Sequence, residues 1–173
     1  QRRPPQRTLK PYPVMETDKR GFQIGISHQT APLEIREAIA PDRAQLQQFR
    51  DRMLDRNGLE ECLVLNTCNR FEVYGVSTRP NGHHAVAEIY GDLRGIPAAS
   101  IAEYSRMREG ADCVRHLMEV CSGLDSQMIG ETEVLGQVKD AYAEAGERKT
   151  LGPILHRIFQ KSFQAAKWIR RSE

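Results

Sequence analysis

Long hydrophobic runs are what this 173-residue sequence most plainly lacks. No stretch approaches the roughly 18 uninterrupted apolar residues that a bilayer crossing requires, and no apolar core follows the positive charges near the N-terminus. The expectation is therefore a cytoplasmic protein with neither a membrane span nor a secretory signal. An excess of charge of one sign is also missing. Lys and Arg number 25 against 23 Asp and Glu, and the resulting +2 is too little to draw the whole chain toward a polyanion. Cys62, Cys68, Cys113 and Cys121 form no C-x-x-C pair and have no histidine at zinc-site spacing, so no metal is expected. There is no internal repeat, and no G-x-G-x-x-G turn follows a strand pattern.

What is present suits one globular core: 39% hydrophobic and 28% charged residues, with a mean hydropathy of -0.57. Residues 1–20 hold Pro4, Pro5, Pro11 and Pro13 among Arg2, Arg3, Arg7, Lys10, Lys19 and Arg20, which reads as a flexible leader. Order is expected from Gly21. Residues 22–26 alternate as a short strand, and Ser27 to Pro32 break it with a loop that is a first candidate site. Pro41 and Asp42 open a helical pattern carried by Leu46, Phe49, Met53 and Leu54, and Asn57-Gly58 closes it.

Residues 60–65 and 71–76 read as two strands joined by a short polar loop, 84–93 as a helix, and 101–107 as an edge strand. The order strand, helix, strand, strand, helix, strand predicts a split βαβ, ferredoxin-like α+β sandwich with an antiparallel sheet. Beyond it the pattern turns helical, over 113–121, 131–145 and 154–170. Residues 21–150 are read as one domain and 151–173 as a C-terminal helix.

Cys68 lies in the loop Asn66-Thr67-Cys68-Asn69-Arg70 between the two central strands, where a side chain can meet a ligand while its backbone is held by the sheet. Arg70 can favour the thiolate and offer paired donors to a carboxylate, and Thr67 and Asn69 add polar groups. The same residues also suit an ordinary polar turn in which Arg70 simply pairs with Glu72. Cys62, Cys113 and Cys121 sit in apolar periodic segments and read as core. A second polar, glycine-rich stretch runs from Gly123 through Asp125, Ser126, Gly130 and Glu131 to Gly136, Gln137 and Lys139; it suits ligand contact, or helix punctuation. His116 falls on an apolar helix face, where a histidine is commonly a satisfied core residue. Lys161, Lys167, Arg170 and Arg171 can meet phosphates or form a solvated helix face.

Taken together these motifs resemble the N-terminal catalytic domain of glutamyl-tRNA reductase. The resemblance rests on residues 25–32 with Arg36-Glu37, on Thr67-Cys68-Asn69-Arg70 with Glu72 and Tyr74, on His116 and the run from Gly123 to Lys139, and on Phe159-Gln160-Lys161 with Ala166-Lys167 and Arg170. It spans about residues 21–173. It implies that Cys68 attacks the ester of glutamyl-tRNA to give a thioester, which NADPH reduces to glutamate-1-semialdehyde for tetrapyrrole synthesis. It further implies Cys68 and His116 as catalytic residues, with Thr67, Asn69, Arg70, Ser126, Glu131, Thr132, Glu133 and Gln137 around the glutamyl group. Full-length members are expected to be homodimers, with glutamate-1-semialdehyde aminomutase as a partner.

Some positions depart from the family pattern: Asn66 replaces a common serine, Phe71 a threonine, Gln127 an apolar residue, and Thr132-Glu133 a proline-glutamine pair. None removes the nucleophile. The residues after 151 lead toward an NADPH-binding domain that the sequence does not contain, so the chain is expected to be a piece of a longer reductase that forms the thioester but does not reduce it. The alternative is a non-catalytic tRNA-binding or regulatory module derived from that domain.

Overall fold

The computed structural model of the chain describes residues 19–124 and 133–172. Strand β1 (Arg20–Ser27) runs through the middle of a four-stranded sheet. After it come α1 (Leu33–Ile39) and α2 (Arg43–Asp55), then the hairpin of β2 (Leu59–Asn66) and β3 (Arg70–Ser77). Helices α3 (His84–Arg94) and α4 (Ala98–Glu103) lead to the short edge strand β4 (Arg106–Glu109). Helices α5 (Ala111–Cys121), α6 (Glu133–Glu147) and α7 (Pro153–Ser172) complete the described chain.

The sheet order is β2-β3-β1-β4, and all three pairings are antiparallel. With β3 inserted between β1 and β2, this is the expected split βαβ arrangement of an α+β fold. Ser27 pairs with Arg70 and Gly25 with Glu72, so the end of β1 lies beside the start of β3, where the cysteine loop emerges.

Alternation along the strands sends residues to two different cores. Phe22, Ile24, Cys62, Val64, Phe71 and Val73 meet Phe49 and Met53 of α2, Tyr90 of α3 and Ile101 of α4. Leu63, Leu65, Tyr74 and Val76 meet Cys113 and Leu117 of α5, Val138 of α6, and Leu155 and Phe159 of α7. The sheet is therefore covered on both faces, and every residue of β3 is buried. Gly75 permits part of this packing: a Cβ there would lie 2.3 Å from Cζ of Phe22.

Local signals account for most of the boundaries. Asp42 caps α2 by accepting from the Gln45 amide at 2.8 Å, while the Gln45 side chain accepts from the Asp42 amide at 3.2 Å, a reciprocal capping box. Gly95 closes α3 with a left-handed φ of 66°. Helix α7 is started from outside itself. The buried Glu61 carboxylate of β2 accepts from the backbone amides of Leu155 at 2.9 Å and Ile154 at 3.3 Å, satisfying donors that a helix N-terminus leaves open. Gly152 makes room for it, because a Cβ there would fall 2.4 Å from the Glu61 side chain.

One expectation is corrected and one helix was not foreseen. The edge strand predicted over 101–107 is a helix followed by a strand of only four residues: Ile101 is buried on α4, and pairing to β1 covers Arg106–Glu109 alone. The loop expected from Ser27 to Pro32 is present, but Pro32 then opens the additional helix α1. Prolines at the N-cap positions of both short helices, Pro32 and Pro97, look like loop signals in a sequence, yet each is compatible with helix entry. Among the described residues no helix is long and apolar enough to cross a membrane, and none of the described His, Cys, Asp and Glu residues form a metal-holding group.

Candidate active site

The β2–β3 hairpin presents Cys68 at its tip. Its loop is closed by backbone and threonine together: Thr67 N donates to Arg70 O at 2.8 Å, and Thr67 Oγ1 accepts from the amides of Asn69 and Arg70, each at 3.2 Å. Thr67 thus spends its lone pairs on shaping the turn, as serine and threonine commonly do in tight loops. This keeps the cysteine on a fixed backbone and in contact with solvent.

The four thiols divide sharply. Cys68 is exposed, while Cys62, Cys113 and Cys121 are buried. Burial pushes each of those three thiols up to about 12, so they stay protonated and unreactive. Cys68 is the thiol that a substrate can reach.

Two clefts meet beside it. The first, of about 360 Å³, is bounded by Asn66, Thr67, Cys68, Asn69, Arg70 and Phe71 of the hairpin, by Ile26 of β1, and by Leu33, Arg36, Glu37, Ile39 and Ala40 at α1. The second, of about 520 Å³, runs between α2 and α6; Asn66 borders it together with Arg50, Gln137, Asp140, Glu144 and Arg148. Gln137 therefore lies on the neighbouring cleft, reached from the cysteine loop through Asn66. Glu133 is exposed at the start of α6. Ser126, Glu131 and Thr132 lie outside the described residues.

Behind the hairpin tip, on the face toward α5, sits a buried polar cluster centred on Glu72. Its Oε1 lies 2.5 Å from His116 Nε2 and 3.5 Å from Arg70 Nη1. Gln23 Nε2 donates to the same oxygen at 3.2 Å, and the Tyr74 hydroxyl donates to Oε2 at 3.1 Å. Arg108 of β4 reaches Gln23 Oε1 at 3.0 Å. Burial alone would raise the Glu72 carboxyl, but His116, then Arg70 and the Tyr74 hydroxyl outweigh it and hold it below the ordinary value, so Glu72 is an ionised carboxylate inside the protein. Burial and the Glu72 charge push the Tyr74 phenol up, so it remains a donor.

This geometry separates the expected catalytic pair. His116 is buried against Glu72 and borders a separate polar pocket of about 420 Å³ with Gln29, Arg106 and Arg115, not either cleft at the cysteine. Its connection to Cys68 runs through Glu72 and Arg70. Arg70 is both a cleft residue and an ion-pair partner of Glu72, so the two readings of its sequence position hold at once. The pattern of β3 gave no sign of Glu72 as the hub. Charged residues alternating with Phe71 and Val73 look solvent-facing, and only the α5–α7 layer makes that face interior.

Comparison with known proteins identifies the family. Residues 24–173 match the family model described as glutamyl-tRNAGlu reductase, N-terminal domain. The chain belongs to that family. It is 39% identical over 149 residues to a glutamyl-tRNA reductase of Akkermansia muciniphila, covering 85% of this chain and 43% of that protein. It is 37% identical to one from Aromatoleum aromaticum, over 86% of this chain and 35% of the relative. The solved glutamyl-tRNA reductase from Methanopyrus kandleri superposes with a TM-score of 0.71 at 32% identity, covering 91% of this chain and 35% of that one. The chain thus spans 35–43% of the length of these relatives.

Proposed function

We propose that this chain carries the acyl-transfer step of a glutamyl-tRNA reductase. The Cys68 thiolate attacks the carbonyl carbon of the glutamyl ester; a C–S bond forms, the C–O bond to the terminal ribose breaks, and the ribose oxygen takes up a proton. Arg70 grips the glutamate side-chain carboxylate with paired donors. Glu72 holds Arg70 in place from beneath, and His116 fixes Glu72, so both act as positioning residues. Thr67 and Asn69 shape the loop, and Gln137 with Ser126, Glu131, Thr132 and Glu133 closes around the glutamyl group.

The observation that carries this reading is the contrast among the thiols: three are sealed and protonated, and the fourth is held at the rim of a cleft beside an arginine. The described residues do not fit a dinucleotide. Every strand pairing is antiparallel, and no strand runs through a glycine-rich turn into a helix N-terminus. Reduction of the thioester by NADPH therefore falls to residues other than these. Left alone, the thioester would be hydrolysed by water.

Intact-mass analysis after mixing the chain with glutamyl-tRNA should show a glutamyl adduct, absent from Cys68→Ser, together with Cys68-dependent deacylation. Absence of both would overturn the reading. Retained tRNA binding with no acyl transfer would instead favour a binding module that uses the exposed Lys161, Lys167, Arg170 and Arg171 of α7.

A further inference from the structure

Two of the donors that meet Glu72 come from outside β3, and one of them, Gln23, is a neutral side chain with almost no exposed surface. Gln23 sits in the middle of the sheet, opposite Tyr74 of β3 on one side and opposite Arg108 of β4 on the other. Paired positions on neighbouring strands share a face, so its amide lies between a carboxylate and a guanidinium. Its Nε2 donates to Glu72 Oε1 at 3.2 Å, and its Oε1 accepts from Arg108 Nη1 at 3.0 Å. Gly25, the cross-strand partner of Glu72, keeps the space between them open: a Cβ there would stand 2.7 Å from Glu72 Cγ and 3.1 Å from Gln23 Nε2.

The two neighbours together admit one orientation of this amide. A guanidinium has donors only, and an ionised carboxylate has acceptors only. Turned over, the amide would press its oxygen against Glu72 and its NH2 group against Arg108. Among straight side chains of this length, glutamine alone suits both: glutamate would repel Glu72, lysine would repel Arg108, and methionine would leave both without this partner. The contact bears on Arg70 because Glu72 Oε1 is shared. His116 Nε2 at 2.5 Å, Gln23 Nε2 at 3.2 Å and Arg70 Nη1 at 3.5 Å all meet that oxygen, while Oε2 meets the Tyr74 hydroxyl. Arg70 makes the longest of these contacts, so its guanidinium follows the carboxylate wherever the shorter ones turn it.

We propose that Gln23 is a positioning residue for Arg70, and that Arg108 acts through it by fixing which end of the amide faces Glu72. The inference rests on the acyl-transfer reading above, in which Arg70 holds the glutamate side-chain carboxylate. It assigns selectivity for that carboxylate to a line of side chains running from the edge strand β4 through β1 to the hairpin.

Cys68 acylation by two small donors tests it: the S-ethyl thioesters of glutamate and of norvaline, which has a methyl where glutamate has its carboxylate. Wild type should favour the glutamyl donor. Gln23→Met, Gln23→Glu and Arg108→Met should each lower that preference about tenfold, with norvalyl acylation staying within about twofold. Arg108→Met removes a half-buried side chain from the edge strand and so guards against a variant that fails to fold. The double variant Gln23→Met with Arg108→Met should lose no more than Gln23→Met alone. Equal slowing with both donors would make the amide merely structural, an unchanged preference would make Arg70 independent of it, and losses that multiply in the double variant would uncouple Arg108 from Gln23; each overturns the proposal. Guanidinium NMR gives a readout without turnover. Resolved Arg70 Nη signals in wild type should merge in Gln23→Met and Arg108→Met as rotation about the Nε–Cζ bond is freed, and unchanged signals would overturn the proposal. Wild-type chain acylated by neither donor would instead sink the acyl-transfer reading, with the NMR comparison still deciding whether Gln23 and Arg108 hold Arg70.

Discussion

The two faces of β3 are built from the same strand and do opposite things. Toward α2 and α3, Phe71 stacks on Tyr90 with ring centroids 4.7 Å apart, and Phe49 packs edge-on to both. Toward α5 and α7, Arg70, Glu72 and Tyr74 form a charged, hydrogen-bonded cluster with Gln23 and His116. The aromatic face gains stability from burying apolar area. The polar face pays a desolvation cost and in return fixes the direction of a guanidinium near an exposed thiol. Stability and orientation are thus divided between the two sides of one strand, and the cysteine sits at the turn where they join.

The largest effect should come from the thiols that both faces enclose. At pH 8 a thiol held near 12 is ionised in about one molecule in 10⁴. Iodoacetamide should therefore modify Cys68 alone in the native chain and all four cysteines after denaturation, as read by peptide mapping. Early labelling of Cys113 or Cys121 would show that the polar face opens.

Next in size, Met53→Ala on the hydrocarbon face, where Met53 has no exposed surface, should cost about 3 kcal/mol in urea denaturation while leaving acyl transfer per folded molecule unchanged. On the polar face, Glu72→Gln should cost about 2 kcal/mol at neutral pH and also slow acyl transfer, because Arg70 loses its charged partner. The pH dependence has a definite sign. The folded carboxyl lies below its ordinary 4.5, so its stabilisation is present above that value and is lost as pH falls through the depressed one. The stability gap between wild type and Glu72→Gln should hold above pH 4.5 and close below it. The smallest effect, about 1 kcal/mol, is expected for Asp42→Ala, which removes the cap of the helix covering the hydrocarbon face.

Legibility from sequence followed the same division. The hairpin strands, the helices α2, α3, α5 and α7 and the cysteine loop announce themselves through period and punctuation. Helices α1 and α4, of seven and six residues, are too short to show a period, and their opening prolines look like loop. Around the site, the Thr67 to Arg70 loop was legible because polar residues interrupt two apolar strands. Glu72 was legible as a partner for Arg70 but its burial was not, nor was Gln23, since alternating polar residues mean an exposed face unless another layer covers it, and α5 to α7 lie 34 or more residues further along the chain from β3.

One carboxylate has a reach out of proportion to its size. Helix α7 is 20 residues long, a lever of about 30 Å, and its root is clamped by the two hydrogen bonds from Glu61 with Gly152 pressed against the same side chain. A few degrees of play at that root would swing the exposed Trp168 by an ångström or more. The bearing of the helix's far end relative to the cysteine hairpin is accordingly set on β2, the very strand that leads into the hairpin.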